Sequence, residues 1–139
     1  MEEPRVVRRE NQEVHSFHGE GRIRRIIYPD TVGSQNLFIG EARVEPGAAP
    51  HVFHRHGTEI SGNLEITYAP HFEEFYYIVE GSGSMQWKTE DGMLYEQPVS
   101  QGDAIYMPPD TMEHRIFNNS KALLRILYGG TPPAKIVRK

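Results

Sequence analysis

The chain has 139 residues, 37% hydrophobic and 24% charged, which suits one domain with a real core and favours a thin-walled β fold over a thick helical one. A net charge of −4, from 15 Lys+Arg against 19 Asp+Glu, is too mild to imply a nucleic-acid partner. No apolar run approaches the ~18 residues of a membrane span, the charged start MEEPRVVRRENQE lacks the apolar centre of a signal peptide, and the absence of cysteine excludes disulfides and thiol catalysis. The expectation is a cytoplasmic protein.

The chain opens on a polar arm, residues 1–20, in which Val6 and Val7 are candidates to pair with another strand. From there 13 glycines and 10 prolines divide the sequence into short β-type runs. Strands are expected at 24–28 (RRIIY), 37–44 (LFIGEARV), 51–56, 64–68 (LEITY), 74–80 (EFYYIVE), 84–88 (SMQWK), 93–96, 104–107 (AIYM), 114–118 (HRIFN) and 123–128 (LLRILY). Turns fall at 29–30, 46–49, 81–83, 91–92, 102–103 and 108–110. No window of eleven residues carries a 3.6-residue apolar period, so the pattern argues for a β-sandwich or barrel over 21–130, followed by a polar tail, 131–139.

The chemistry concentrates between residues 51 and 74. Four of the seven histidines, His51, His54, His56 and His71, lie there, and the stretch ends on Glu73 and Glu74. His54 and His56 form an H-x-H pair, and on a strand residues i and i+2 face the same side. Two imidazoles so placed can hold one divalent cation, with a carboxylate and a third imidazole from other strands completing the set. Nitrogen and oxygen ligands suit Fe, Mn, Co, Ni, Cu or Zn.

The segment 46–118 resembles the two signature motifs of the cupin superfamily. Pro46-Gly47 opens the first motif, His54-Arg55-His56 supplies the histidine pair, and Glu74 precedes FYYIVE and Gly81. The second reads GDAIYMPPDTMEHRIFN, with Gly102, Pro108, His114 and Asn118 in place. The resemblance implies an all-β, cupin-type double-stranded β-helix, or jelly-roll barrel, with His54, His56, Glu74 and His114 holding one divalent transition metal (Fe, Mn, Ni or Zn). Two departures stand out. Residues 57–69 (GTEISGNLEITYA) form a hairpin-like insertion between the histidine pair and the glutamate, and Asp110 stands where glycine is usual. Asp tolerates left-handed backbone better than most residues, so the turn survives.

Three imidazoles and one carboxylate leave open coordination positions, the arrangement of a working metal. The candidate catalytic groups are His71, as an acid–base group at the mouth or a substitute ligand, and Tyr76, which shares the strand face of Glu74. His51, three residues from His54, should face away on a regular strand. Glu73 should point outward, and Trp87, Tyr106 and Phe117 are core candidates. The insertion is read as a lid or wall of the substrate pocket, or equally as a hairpin extending the sheet or touching a second subunit. The functional expectation is a metal-dependent enzyme acting on an oxygen-bearing small molecule (an enol, hydroxy acid or sugar acid). The alternatives are a sugar-binding or sugar-isomerising protein and a non-catalytic ligand-binding module. A homodimer is expected, because exposed sheet edges favour pairing.

Overall fold

The structure, a computed structural model, describes residues 1–17 and 21–138. Residues 18–20 of the expected arm and Lys139 of the tail lie outside the described residues. In chain order the strands are β1 (Val14–Phe17), β2 (Gly21–Ile27), β3 (Phe38–Val44), β4 (Thr58–Ser61), β5 (Leu64–Thr67), β6 (Glu73–Glu80), β7 (Ser82–Lys88), β8 (Leu94–Ser100), β9 (Ala104–Met107), β10 (Glu113–Phe117), β11 (Leu124–Thr131) and β12 (Lys135–Arg138). A single helical turn, α1 (Pro29–Val32), stands where a turn is expected; it starts on proline and ends on Gly33 in the left-handed region.

Period-2 patterning builds the shell. Strand β3 alternates buried and half-buried residues, with Phe38, Gly40, Ala42 and Val44 inward. Strand β10 buries His114 and Ile116 in the same way. The strands assemble into a six-stranded sheet, β1-β2-β3-β11-β6-β9, facing a three-stranded sheet, β10-β7-β8. Every pairing is antiparallel, as a jelly roll requires. Between the two sheets lies one core that includes Phe72, Ile78, Met107, Ile116, Leu124 and Ile126, each almost fully buried. Each such side chain contributes about 1.5–3 kcal/mol of apolar burial. Gly40 permits a close approach: a Cβ there would overlap the phenol of Tyr128, its cross-strand partner.

The flanks differ from their expected form. Within the N-terminal arm β1 extends the large sheet by pairing with β2, while Val6 is exposed outside any strand. The insertion is the expected hairpin, β4–β5, turning at Gly62 (φ 60°). The polar tail adds β12 to its edge, giving a third, small sheet, β12-β5-β4. The expected strand at 51–56 does not form. A single bridge, His54 to His114, holds that segment, because Pro50 and the irregular chain after it give no continuous ladder. Tyr106, expected in the core, is 62% exposed on edge strand β9, where its hydroxyl meets Glu73. Asp110 adopts φ 56°, the left-handed geometry expected of the residue replacing glycine in the Pro-Pro turn.

Candidate metal centre

The bridge that replaces the expected strand places the first histidine. His54 N donates to His114 O at 3.1 Å, and His114 N donates to His54 O at 3.0 Å. The rings of His54, His56 and His114 then converge, with centroids 4.8–5.2 Å apart. One ligand nitrogen from each lies within 4.8 Å of the others. Glu74, at the start of β6, brings Oε1 to 3.4 Å from His56 Nε2. The four residues named by the H-x-H and Pro-Pro motifs therefore meet in the interior.

The donor set fits a cation. His114 Nδ1 lies 2.8 Å from the Met112 carbonyl, which can only accept, so this nitrogen carries the proton. Burial, and then the neighbouring His54, lower the His114 pKa to about 3, so the ring is neutral. Its Nε2 is left as a bare, buried lone pair with no hydrogen-bond donor among the described residues. Glu74 Oε1 is likewise buried without a hydrogen bond there. Burial pushes the Glu74 carboxyl up from its usual range, partly offset by His56. A neutral imidazole lone pair near a desolvated carboxyl group is what a divalent ion at about 2.0–2.2 Å stabilises.

Two members of this cluster, His54 and Glu74, line a cavity of about 420 Å³, and His56 and His114 sit behind them. The opposite walls are mostly apolar and aromatic: Phe38, Tyr128 and Ile126 from the large sheet, Tyr28 from the turn after β2, and Ile66 and Ile136 from the small sheet. The hydroxyls of Tyr28 and Tyr128 share a hydrogen bond of 2.7 Å, and burial raises the pKa of both. Arg25, stacked over the Tyr28 ring and paired with Asp30 at 2.6 Å, is the arginine that reaches the cavity. The insertion lines the cavity through Glu59, Ile66 and Tyr68.

Tyr76 faces the cavity, 6% exposed. Its hydroxyl lies 3.1 Å from His51 Nε2, and burial holds the phenol protonated. His51 does not face away. It is buried, its ring stacks on His54 at 3.8 Å, and its Nδ1 lies 2.6 Å from the Val52 carbonyl. The alternation rule fails because residues 51–53 are not strand. His71 is exposed on the turn before β6 and is not part of the cavity wall. Glu59, whose Oε1 lies 3.1 Å from His54 Nδ1, has no signal in the sequence, because its placement depends on how the insertion folds over the barrel.

No protein-family model matches the chain. Among curated proteins it is 34% identical over 111 residues to an uncharacterized protein of Methanocaldococcus jannaschii, covering 80% of this chain and 73% of that one. It is 30% identical over 131 residues to polyketide synthase CurC of Streptomyces cyaneus, covering 94% and 71% respectively. Among solved structures, oxalate decarboxylase of Bacillus subtilis superposes with a TM-score of 0.67 at 21% identity, covering 93% of this chain but 30% of that one. A cupin 2 conserved barrel domain protein of Salinispora arenicola superposes with a TM-score of 0.61 at 17% identity, covering 94% and 88%. At these identities the structural likenesses establish the fold.

Proposed function

Since the chain belongs to the cupin superfamily, we propose that His54, His56, Glu74 and His114 hold one divalent transition metal (Fe, Mn, Ni or Zn), and that the protein is an enzyme acting on an oxygen-bearing small molecule. The observation that carries this reading is the convergence of three histidine ligand atoms within 4.8 Å, one of them, with Glu74, lining a cavity large enough for a substrate. When bound, the ion supplies a Lewis acid for substrate oxygens.

The cavity wall narrows the substrate. Its apolar and tyrosine surface favours an enol or hydroxy acid with an apolar body over a sugar acid, whose hydroxyls would meet few partners there. Two of the similar proteins are named for oxalate and for polyketides. An oxalate-sized acid would leave most of about 420 Å³ unfilled, so a larger carbonyl-bearing molecule suits this chain better. Tyr76 rather than His71 is the group that handles a proton, since it lines the cavity and its phenol can donate to His51. Arg25 is placed to meet an acidic end of the substrate. Ile66, Tyr68 and Ile136 exclude water from the remaining wall. A homodimer is supported by the exposed tyrosines Tyr77 and Tyr106 on neighbouring strands β6 and β9; sedimentation equilibrium tests it, and a monomer at working concentration refutes it.

Elemental analysis of protein purified without added metal or chelator tests the metal, against the His54→Ala and His114→Ala variants. Stoichiometric metal in the parent and its loss from both variants is the expected result. A full complement in both variants refutes the ligand set. Oxygen consumption by the Fe(II)-loaded protein with a bound hydroxy-acid substrate then separates oxidative from non-oxidative turnover.

A further inference from the structure

The metal-centre reading leaves Glu59 without a role, yet this carboxylate comes closer to a ligand histidine than Glu74 does. It stands on β4 of the small sheet, and its Oε1 is 3.1 Å from His54 Nδ1, with both side chains at least four-fifths buried. Its charge also reaches the cavity interior: it is among the causes that raise the Glu74, Tyr68 and Tyr76 pKa values. Glu59 and His54 together line both this cavity and a second, shallower groove beside it.

A carboxylate at Nδ1 holds the proton on that nitrogen and leaves Nε2 as the electron-pair donor. His114 receives the same treatment from the Met112 carbonyl, which belongs to the barrel itself. His54 differs because its Nδ1 partner arrives on the insertion. Stacking on His51 restrains the plane of the His54 ring but does not choose its tautomer. The small sheet that carries Glu59 is built from β4, β5 and the tail strand β12, and it joins neither of the barrel sheets.

We propose that Glu59 is a positioning residue for His54, delivered by the β12-β5-β4 sheet, so that closure of this sheet over the cavity and loading of the metal centre favour one another. The proposal rests on the metal-centre reading above. With the sheet closed, Glu59 sets the His54 tautomer and raises its basicity; a bound ion in turn strengthens the His54–Glu59 contact and holds the sheet down. The same wall that encloses the substrate thereby completes the metal centre.

The test is Mn(II) titration of the parent, Glu59→Gln, Glu59→Ala and His114→Ala, followed by the electron paramagnetic resonance of free Mn(II), with hydrogen exchange of the β4 and β5 amides measured with and without Mn(II). Expected are affinities weaker by about 10–100-fold in Glu59→Ala and less so in Glu59→Gln, whose amide oxygen can face Nδ1 but carries no charge. Protection of β4 and β5 rises on Mn(II) addition in the parent and does not rise in Glu59→Ala. Parent-like affinity and an equal rise in protection in Glu59→Ala, with binding lost in His114→Ala, overturn this proposal and spare the metal-centre reading. A lowered metal-free melting temperature in both Glu59 variants at unchanged affinity assigns Glu59 a structural role only and also overturns it. A parent that takes up no Mn(II), and no Fe(II), Ni(II) or Zn(II) when each is offered in turn, overturns both; if one of these binds in place of Mn(II), the same comparison is read with that ion by elemental analysis after dialysis. Glu59→Gln preserves shape, so the comparison survives if the alanine variant fails to fold.

Discussion

Gly130→Ala probes how tightly the barrel backbone holds the metal centre. Gly130 on β11 pairs with Glu74 on β6. A Cβ at residue 130 would collide with the Glu73 carbonyl oxygen and sit 3.1 Å from Glu74 Cα. Both neighbours are backbone, so no side-chain rotation relieves the overlap, and β6 must move away from β11 by roughly 1 Å, at an overpacking cost of about 1–3 kcal/mol. For a domain of this length that is a fall in melting temperature of roughly 3–15 °C. The displaced residue is the carboxylate of the proposed centre, and a shift of about 1 Å exceeds the ~0.5 Å tolerance of a preorganised site. Metal affinity should therefore fall by about 10–100-fold, as it does when a supporting contact is lost. Gly57→Ala is the control, since nothing lies within 4 Å of its added Cβ and its backbone is outside the left-handed region; it should be neutral or gain about 0.4–1 kcal/mol. Thermal denaturation with and without chelator, together with elemental analysis, reads both effects. If Gly130→Ala melts with the parent and keeps its metal, the backbone argument is wrong.

Asn118→Ala should cost about 2–4 kcal/mol, because its buried amide donates to Val44 O at 2.9 Å and Ala122 O at 2.8 Å and both carbonyls would lose a donor; urea denaturation showing under about 0.5 kcal/mol would contradict this. Glu74→Gln should raise the stability of the metal-free protein at neutral pH while abolishing stoichiometric metal. The folded carboxyl has a raised pKa, so its contribution is full below its unfolded value of about 4.5 and is lost as pH rises through the folded pKa. A metal-free variant less stable than the parent at pH 7 would reverse that sign. His114 works the other way. Its pKa falls from 6.5 unfolded to about 3 folded, so its contribution is present above 6.5 and lost as pH drops towards 3, at up to about 1.4 kcal/mol per pH unit. Metal-free parent and His114→Asn should therefore converge in stability between pH 6 and 4, and parallel profiles by circular dichroism would count against a buried neutral imidazole. Chelation of the metal-loaded parent should lower the melting temperature, by about 2.7 kcal/mol of lost linkage if the ion was present at 100 times its dissociation constant; an unchanged melting curve would place the ion outside the fold.

Local chemistry along the chain was enough for the shell and for the four candidate ligands that meet inside it. Alternation of apolar and polar residues depends only on the two-residue repeat of an extended chain, so the strands of the barrel and the inward faces of Glu74, Tyr76 and His114 follow from it. The turn at Asp110 was legible for the same reason, since left-handed tolerance is a property of one residue. The period-2 rule misled at His51, because the segment after Pro50 is held by one bridge rather than a ladder and its side chains are free of strand alternation. Tyr106 misled in another way: whether an alternating residue faces core or solvent depends on which strand covers it, and β9 is an edge.

What tertiary structure alone decided is the covering of the cavity. Nothing local tells the β4–β5 hairpin to fold over the barrel, or the tail to pair with it through β12. The β12–β5 pairing joins residues some seventy positions apart, and its free energy lies in surfaces that exist only once both are folded. Glu59 at His54, Arg25 at the cavity wall and the apolar lining of the cavity all descend from that long-range packing. The candidate ligands could be read from the sequence; the pocket beside them was made by parts of the chain meeting at a distance.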